Sequence, residues 1–475
     1  MWYVLGAIAG FLAVLVVRAL LFRPHPQRKI NEAPVSFDAD SAVTALQKLV
    51  QCKTISDYDH ANEDEAEFQK LIDLLPVLYP RVFEICEFMQ LPERALLLRW
   101  KGKSAEKPSV MMSHYDVVPV REELWEKPPF AGIIEDGVLW GRGTLDTKVT
   151  LNGALFGANT LMEQGFVPEN DVYFAFSGGE EVNGLGAVNI VNYFKQQGIT
   201  PALVVDEGGA VVENVFPGVK VPCGMVGIAE KGMMNVRYTV HSGGGHASAP
   251  PVKTPITTLA TACRRVVEHP FKMDINKPAA LMFDTLARHS TFLYKLIFSN
   301  LRIFKPVLDL ICKKSGGEMN ALVRTTTAFT QAQGSKARNV IPAEASLVSN
   351  MRLNPSDSVA KAEAYLNKVV NDSSVEIEVL ESFEPSPVSE TDCDSYYKVA
   401  DAVAETWRGC VVTPYLMVQC SDSRHYGEIS RHVYKFSAMD LTAEERKTIH
   451  GNNERIRLEA IGRAVEFYIR LLGKC

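Results

Sequence analysis

The sequence predicts an α/β protein that is interrupted by a ferredoxin-like unit and preceded by an apolar helix long enough for a membrane. Three observations carry this reading. Trp2 to Phe22 is apolar apart from Arg18. From Asp38 onward, short apolar runs alternate with helix-like stretches. After Lys231 the style changes to a β-α-β-β-α-β order. At 475 residues the chain exceeds one ordinary core, so two or three domains, or one large domain with an insertion, are expected.

The first segment, residues 1–23, suits a bilayer core, which a helix of about 20 residues crosses. It lacks a positive n-region and a small-residue cleavage site, which favours an uncleaved, single-pass membrane anchor over a signal peptide. Arg23, Arg28 and Lys29 follow it and no charged side chain precedes it, so the positive-inside rule favours a cytoplasmic body. Residues 24–37, interrupted by prolines, read as a linker.

Residues 38–231 begin with the amphipathic SAVTALQKLVQ. The runs SVMMSHYD, DVYFAFSGG and ALVVDEGG read as buried parallel strands separated by TLDTKVTLNGALFGANTLMEQG and EVNGLGAVNIVNYFKQQG, which read as helices. In such sheets ligands sit at the carboxyl ends of the strands, and all three runs end in acidic or His residues. Residues 232–384 hold the ferredoxin-like unit, with VRYTVH, TPITTLATACRRVVEH, RTTTAFTQAQ, ASLVSNMRL, DSVAKAEAYLNKVVND and VEIEVLESF in order. Within it, residues 270–320 form a Phe- and Leu-rich insertion, read either as core packing or as a membrane-surface or substrate-covering helix. Residues 385–475 resume the α/β style and close on the amphipathic RIRLEAIGRAVEFYIRLLG.

Charged residues are 22% and hydrophobic ones 47%, the balance of a folded globular chain. A net charge of −6 leaves no basic footprint for nucleic acid, which is excluded as a partner. The nine cysteines are scattered without a C-x-x-C pair and read as buried thiols, not as a disulfide framework.

The strand ends carry the chemistry. A catalytic zinc site needs imidazole and carboxylate ligands with one position open, and a pair of ions needs a bridging carboxylate. His114 ends an apolar run, and Asp116, two residues on, shares its face on an extended backbone, where it would orient a liganding imidazole. A structural strand His is the alternative. Asp146 lies between a Gly-rich turn and a helix start, a place that also suits an N-cap. Glu180 and Glu181 adjoin a buried run and repel one another unless a cation is near, although two surface acids would read the same way. Asp206 repeats the placement, while His450 in IHGNNERI is too distant for spacing to assign it.

These motifs resemble those of the M20 metallopeptidases, and within them the carboxypeptidase S-like, N-acyl-amino-acid hydrolase branch. SHYDVVPV, GRGTLDTK, SGGEEVNG, VVDEGG and IHGNNER occur in the family's order over roughly residues 40–475. The resemblance implies a zinc-binding α/β domain, residues 38–231 and 385–475, interrupted by the ferredoxin-like lid. It implies two zinc ions, with Co2+ or another divalent ion as a substitute. Asp146 would bridge them, His114 and Asp206 would hold one, and Glu181 and His450 the other. Glu180 would be the general base and Asp116 the acid behind His114. In the lid, His246 of HSGGGHASAP would reach the scissile carbonyl, and Asn339 and Arg352 would bind substrate, Arg352 as a fork for a carboxylate. Such a His comes from a partner's lid, hence a homodimer through the lid, or from a lid adapted within one chain. Arg424 and His425 match a recurring late segment and receive no role.

The implied activity is hydrolysis of the amide next to a C-terminal or N-acylated amino acid, on a peptide or N-acyl amino acid substrate. An aminoacyl dipeptidase is the rival enzyme, and Arg352 favours a carboxylate over an amine. A membrane-tethered, non-catalytic metal-binding protein is the rival from another class, opposed by the presence of Glu180 and all five ligand positions. Members of this branch often work in a lumen or outside the cell, which opposes the charge rule and leaves the side of the membrane open.

Overall fold

The computed structural model describes residues 1–26, 28–216 and 218–475. Helix α1 (Trp2–Leu21) buries only Leu15 and Ala19, and its mean hydropathy of 2.5 and its length suffice to cross a membrane. The segment that follows lies along the body: Arg28 pairs with Asp401 at 3.0 Å and stacks on Tyr397. Helix α2 (Ala39–Val50) starts where the Asp38 carboxylate accepts from the amide of Ser41, and it buries Ala42, Leu46 and Leu49 on one face.

A ten-stranded mixed sheet forms the larger layer. Its members are β1 (Glu87–Leu91), β2 (Ala95–Trp100), β3 (Ser104–His114), β4 (Asn170–Ser177), β5 (Leu203–Asp206), β6 (Val211–Val212) and β7 (Cys223–Glu230). From the last part of the chain come β12 (Val411–Met417), β13 (Val433–Lys435) and β14 (Asp440–Leu441). The spatial order is β1-β2-β4-β3-β5-β13-β7-β6-β14, with β12 beside β7. The three runs expected as parallel strands are β3, β4 and β5. They lie side by side in parallel, with β3 central, so their carboxyl ends emerge together. The β1–β2 hairpin adds an antiparallel edge.

Helices α3 (Lys148–Glu163) and α4 (Gly186–Gln196) cover the sheet. Helix α3 is buried on every side because the C-terminal helix α11 (Leu458–Leu472) packs over it. Glycine permits the close approach: a Cβ on Gly157 would meet Tyr468 and the backbone of Ile469 at 3.2 Å.

A separate four-stranded antiparallel sheet contains β8 (Gly232–His241), β9 (Thr326–Gln333), β10 (Glu344–Leu353) and β11 (Glu376–Phe383), in the order β9-β10-β8-β11. With helices α5 (Pro255–Glu268) and α10 (Val359–Val370) it encloses its own core of residues such as Val236, Leu259, Met351 and Leu366. Between α5 and β9 the insertion is helical: α6 (Lys277–Arg288), α7 (Phe292–Ser299), α8 (Leu301–Ser315) and α9 (Gly317–Leu322). Its buried residues, Phe283, Leu286, Leu308 and Cys312 among them, join the core of the large sheet, because α6 packs on β12. All nine cysteines are free thiols, and most are buried.

Candidate metal centre

Three strand ends and two loops converge. His114 is the last residue of β3, Glu180 and Glu181 begin the turn just after β4, and Asp206 ends β5 with Glu207 next to it. Asp146 comes from the loop before α3, and His450 from the loop after the short helix Ala443–Arg446. The Asp146–Thr147 peptide is cis.

The buried His114 ring has two distinct sides. Its Nδ1 lies 3.0 Å from the carbonyl oxygen of Asp116 and 3.4 Å from Asp116 Oδ1. Its Nε2 faces the acids, 3.0 Å from Asp146 Oδ1 and 3.4 Å from Glu207 Oε1. The Asp116 carboxylate also accepts from the amides of Glu180 and Glu181, each at 3.1 Å, and from the Ser56 hydroxyl at 2.6 Å. One buried acid thus sets both the imidazole and the turn carrying the acid pair.

Asp146 divides its two oxygens between two histidines: Oδ1 faces His114, and Oδ2 lies 3.0 Å from His450 Nε2. Glu181 Oε2 also lies 3.0 Å from His450 Nε2. His450 holds a left-handed backbone, φ +57°, which turns its side chain out of its loop toward these acids.

Burial pushes Glu180 well above the usual carboxylate range, and Glu207, Asp422 and Glu181 push the same way against the opposing pull of His114. Burial likewise raises Glu207, to about 8. Hydrogen bonding to Asp146 and Glu181 holds His450 up, at about 10. Burial alone would lower His114, but Glu207, Asp116 and Asp146 outweigh it and raise the ring. Acids that resist ionisation and imidazoles that hold protons belong to a cluster made for positive charge.

The donors suit a divalent cation. His114, Asp146 and Glu181 offer atoms within 4.8 Å of one another, as do His114, Glu180 and Glu207. Glu181 Oε1 is buried without a hydrogen-bond partner, a costly position for a carboxylate oxygen unless a cation takes it up. Imidazole nitrogen and carboxylate oxygen are zinc's ligands, and a carboxylate with one oxygen toward each of two histidines has the shape of a bridge.

Sequence reasoning missed several neighbours. Glu207 is the carboxylate within ion-pair distance of His114 Nε2, whereas the Asp206 carboxylate accepts from the amide of Ser423 at 3.0 Å. The signal was the second acid of VVDEGG, the same adjacent pair that marked Glu180 and Glu181. Glu454, four residues after His450, accepts from the backbone nitrogens of Gly143, Leu145 and Asp146 and pairs with Arg142 at 2.6 Å, all in the interior. Arg424 donates to Asn183, the residue that ends the Glu180 turn, at 3.2 Å. Burial lowers His425 to about 4.

The residues expected on a lid lie apart. His246 is exposed in a two-residue strand paired with Val340–Ile341, and its Nδ1 lies 2.8 Å from the Ser248 hydroxyl. Asn339 is exposed beside it, and its carbonyl accepts from the amide of Ala247 at 2.9 Å. Among the described residues neither makes a hydrogen bond to the His114–His450 cluster. Arg352 on β10 donates to Asn350 and, at 3.0 Å, to Cys420 Sγ. Cys420 in turn lines a cleft of about 810 Å³ whose floor holds Asp146, Glu180, Glu181, Glu207 and His450. Away from the floor the lining is mixed: Val212, Val215, Met225, Tyr415, Met417 and Leu441 are joined by Glu318, Gln419, Ser437, Arg446 and Lys447. Gly317 and Ala321 of α9 complete the rim.

Residues 110–474 match peptidase family M20/M25/M40. The chain is 34% identical to the N-fatty-acyl-amino acid synthase/hydrolase PM20D1 of Xenopus tropicalis, over 99% of this chain and 96% of that one. It is 33% identical to a probable carboxypeptidase S-like protein of Dictyostelium discoideum, over 98% and 92% of the two chains. Among solved structures, an M20 family metallo-carboxypeptidase from Sulfolobus solfataricus superposes with a TM-score of 0.66 at 18% identity, covering 91% of this chain and 98% of that one. Human carnosine dipeptidase 1 superposes with a TM-score of 0.64 at 14% identity, covering 92% and 96%.

Proposed function

The chain belongs to peptidase family M20/M25/M40, and on that premise we propose that it is a metal-dependent hydrolase of the amide bond next to a C-terminal or N-acylated amino acid. The observation that carries this reading is the ring of His114, Asp146, Glu181, Glu207 and His450 around Glu180, opening on a partly apolar cleft.

His114, Asp146, Glu181, Asp206 and His450 would hold two zinc ions, with Asp146 shared, Glu181 and His450 serving one, and His114 with Asp206 the other. Glu207 competes with Asp206 for the last place, since its carboxylate is the one within ion-pair distance of His114. Other divalent ions such as Co2+ suit the same donors. When bound, such ions supply charge that polarises an amide carbonyl and lowers the pKa of water.

The rest is the work of side chains. Glu180 accepts a proton from the water whose oxygen attacks the carbonyl carbon, and returns it to the amine nitrogen as the C–N bond breaks. The burial that raises its proton affinity suits both halves of that shuttle. Asp116 occupies His114 Nδ1 and so leaves Nε2 free for the centre.

His246, Asn339 and Arg352 are assigned to the substrate, His246 to the carbonyl oxygen and Arg352 to the carboxylate. The ferredoxin-like unit, residues 232–384, acts as the lid that brings them to the cleft, from this chain or from a second copy. The apolar part of the lining, Val212, Val215, Met225, Met417 and Leu441, favours an acyl chain or apolar side chain beside the scissile bond, in keeping with the substrate class named for the Xenopus relative. Residues 1–23, which contain helix α1, are assigned as a membrane anchor, followed by the linker 24–37.

The test loads the purified full chain with zinc and assays N-acyl amino acids and dipeptides with free and amidated carboxylates. Release of free amino acid from N-acyl amino acids is expected. A zinc-loaded, folded protein that cleaves no amide would contradict the reading.

A further inference from the structure

Helix α8 is apolar on two sides. Leu308 and Cys312 face the core, while Ile303, Val307, Leu310 and Ile311 lie on the opposite side and are each about half exposed, Val307 at 54%. These four recur at helical spacing and form one stripe. Phe292 and Leu293 of α7 are exposed as well. Arg302, Lys305, Lys313 and Lys314 on the same helix are exposed as well, and Asp309, paired with Lys313, is the only acid on the helix.

The surface runs into α1. Helix α1 packs against α7, Arg18 donates to the Ser299 carbonyl at 2.8 Å, and Asn300, which precedes α8, donates to the Leu15 carbonyl at 3.2 Å. Leu15 lies six residues before the end of α1, a rise of about 9 Å. If α1 spans a bilayer, α8 therefore begins at about the depth, roughly 5–10 Å, at which an amphipathic helix buries its apolar face. Its exposed Arg302, Lys305, Lys313 and Lys314 suit anionic headgroups. From α8 the chain passes directly into α9, whose Gly317 and Ala321 rim the cleft.

We propose that α7 and α8 form a bilayer-contact surface continuous with α1, which sets the mouth of the cleft at the lipid interface so that long-chain N-acyl amino acids enter from the membrane. The contact rests on the reading of α1 as an anchor, and the entry route rests on the proposed hydrolysis.

The full chain, reconstituted in vesicles of neutral and anionic phospholipid, tests the contact with a photo-crosslinking phenylalanine at Val307 or Leu310 and, as control, at the exposed Lys368 of α10. Lipid adducts at 307 and 310, absent at 368, are expected. Crosslinks to a second copy, or no adduct at 307 and 310, would overturn the contact. The route is read separately with Val307→Ser combined with Leu310→Ser. The KM for a long-chain N-acyl amino acid held in vesicles should rise about tenfold, since two apolar anchors are lost, while turnover of a water-soluble N-acetyl amino acid stays unchanged. Unchanged KM for the long-chain substrate would overturn the route. Loss of turnover on both substrates in the wild type would instead strike the hydrolase reading and leave the crosslinking result standing.

Discussion

Glu454 holds Asp146 by its backbone: its Oε1 accepts from the amide nitrogens of Leu145 at 2.7 Å and Asp146 at 3.2 Å. Its other oxygen takes Gly143 and Arg142, so one buried carboxylate shapes the loop that presents Asp146. Because Glu454 and His450 lie on one segment, the two sides of the centre are fastened together.

Glu454→Gln turns an amide donor toward backbone donors. Metal affinity should fall about 10–100-fold, as for other groups that orient ligands, and stability by about 1–3 kcal/mol. Chelator competition and thermal melting read the two effects. A lower melting temperature with unchanged affinity would reduce Glu454 to a structural role.

Glu180→Gln should retain metal and fold yet lose about 10²–10⁴-fold in turnover, because the amide cannot take the proton from water. Near-normal turnover would remove Glu180 from the mechanism.

Asp146→Ala should lower the content of both ions, whereas His450→Ala should chiefly deplete one, since only a bridging group meets both. Equal losses in the two variants would contradict the bridge. Glu207→Ala set beside Asp206→Ala decides which carboxylate completes the His114 side: the true ligand's variant loses metal.

Arg352→Ala should mainly raise KM for acid substrates, and a substrate with an amidated carboxylate should lose little further in that variant. His246→Ala should instead reduce kcat and kcat/KM together, with metal content unchanged. Equal penalties for acid and amide substrates would remove the carboxylate role from Arg352.

Lys231, between β7 and β8, donates to the carbonyls of Ala321 and Arg324 at 3.0 and 2.9 Å and so ties the end of the insertion to the junction of the two sheets. Burial, aided by Arg352, lowers it to about 7. Its folded value lies below its unfolded one, so the unfolded chain binds more protons between about pH 7 and pH 10.5, and this group's contribution to stability rises with pH across that window. Lys231→Met should cost about 1–3 kcal/mol and flatten the slope; an unchanged slope would assign it to other groups.

The fold was legible where periodicity is strong. The runs ending in His114 and Asp206 and the helix after Asp146 show themselves because burial on both faces leaves near-continuous apolar strands with polar ends. The centre was legible where a candidate group ends such a run, as His114 and Asp206 do, or adjoins one, as Glu180 and Glu181 do. His450 and Glu454 sit on a loop far along the chain, where no local pattern distinguishes a ligand from a surface residue, and only the resemblance reached His450. Glu207 stayed hidden because the pattern marks only the acid that ends the apolar run, while the residue one place on, in the bend after β5, is the one within ion-pair distance of His114. The insertion's packing on β12 is a tertiary choice, invisible in its composition.

The central claim is that this centre needs its metal to cleave amides. The most direct measurement strips the purified full chain with a chelator, titrates zinc back, and follows both bound metal and N-acyl amino acid hydrolysis. Activity should vanish in the stripped protein and return as zinc approaches two ions per chain. Full turnover by folded, metal-free protein would contradict the account.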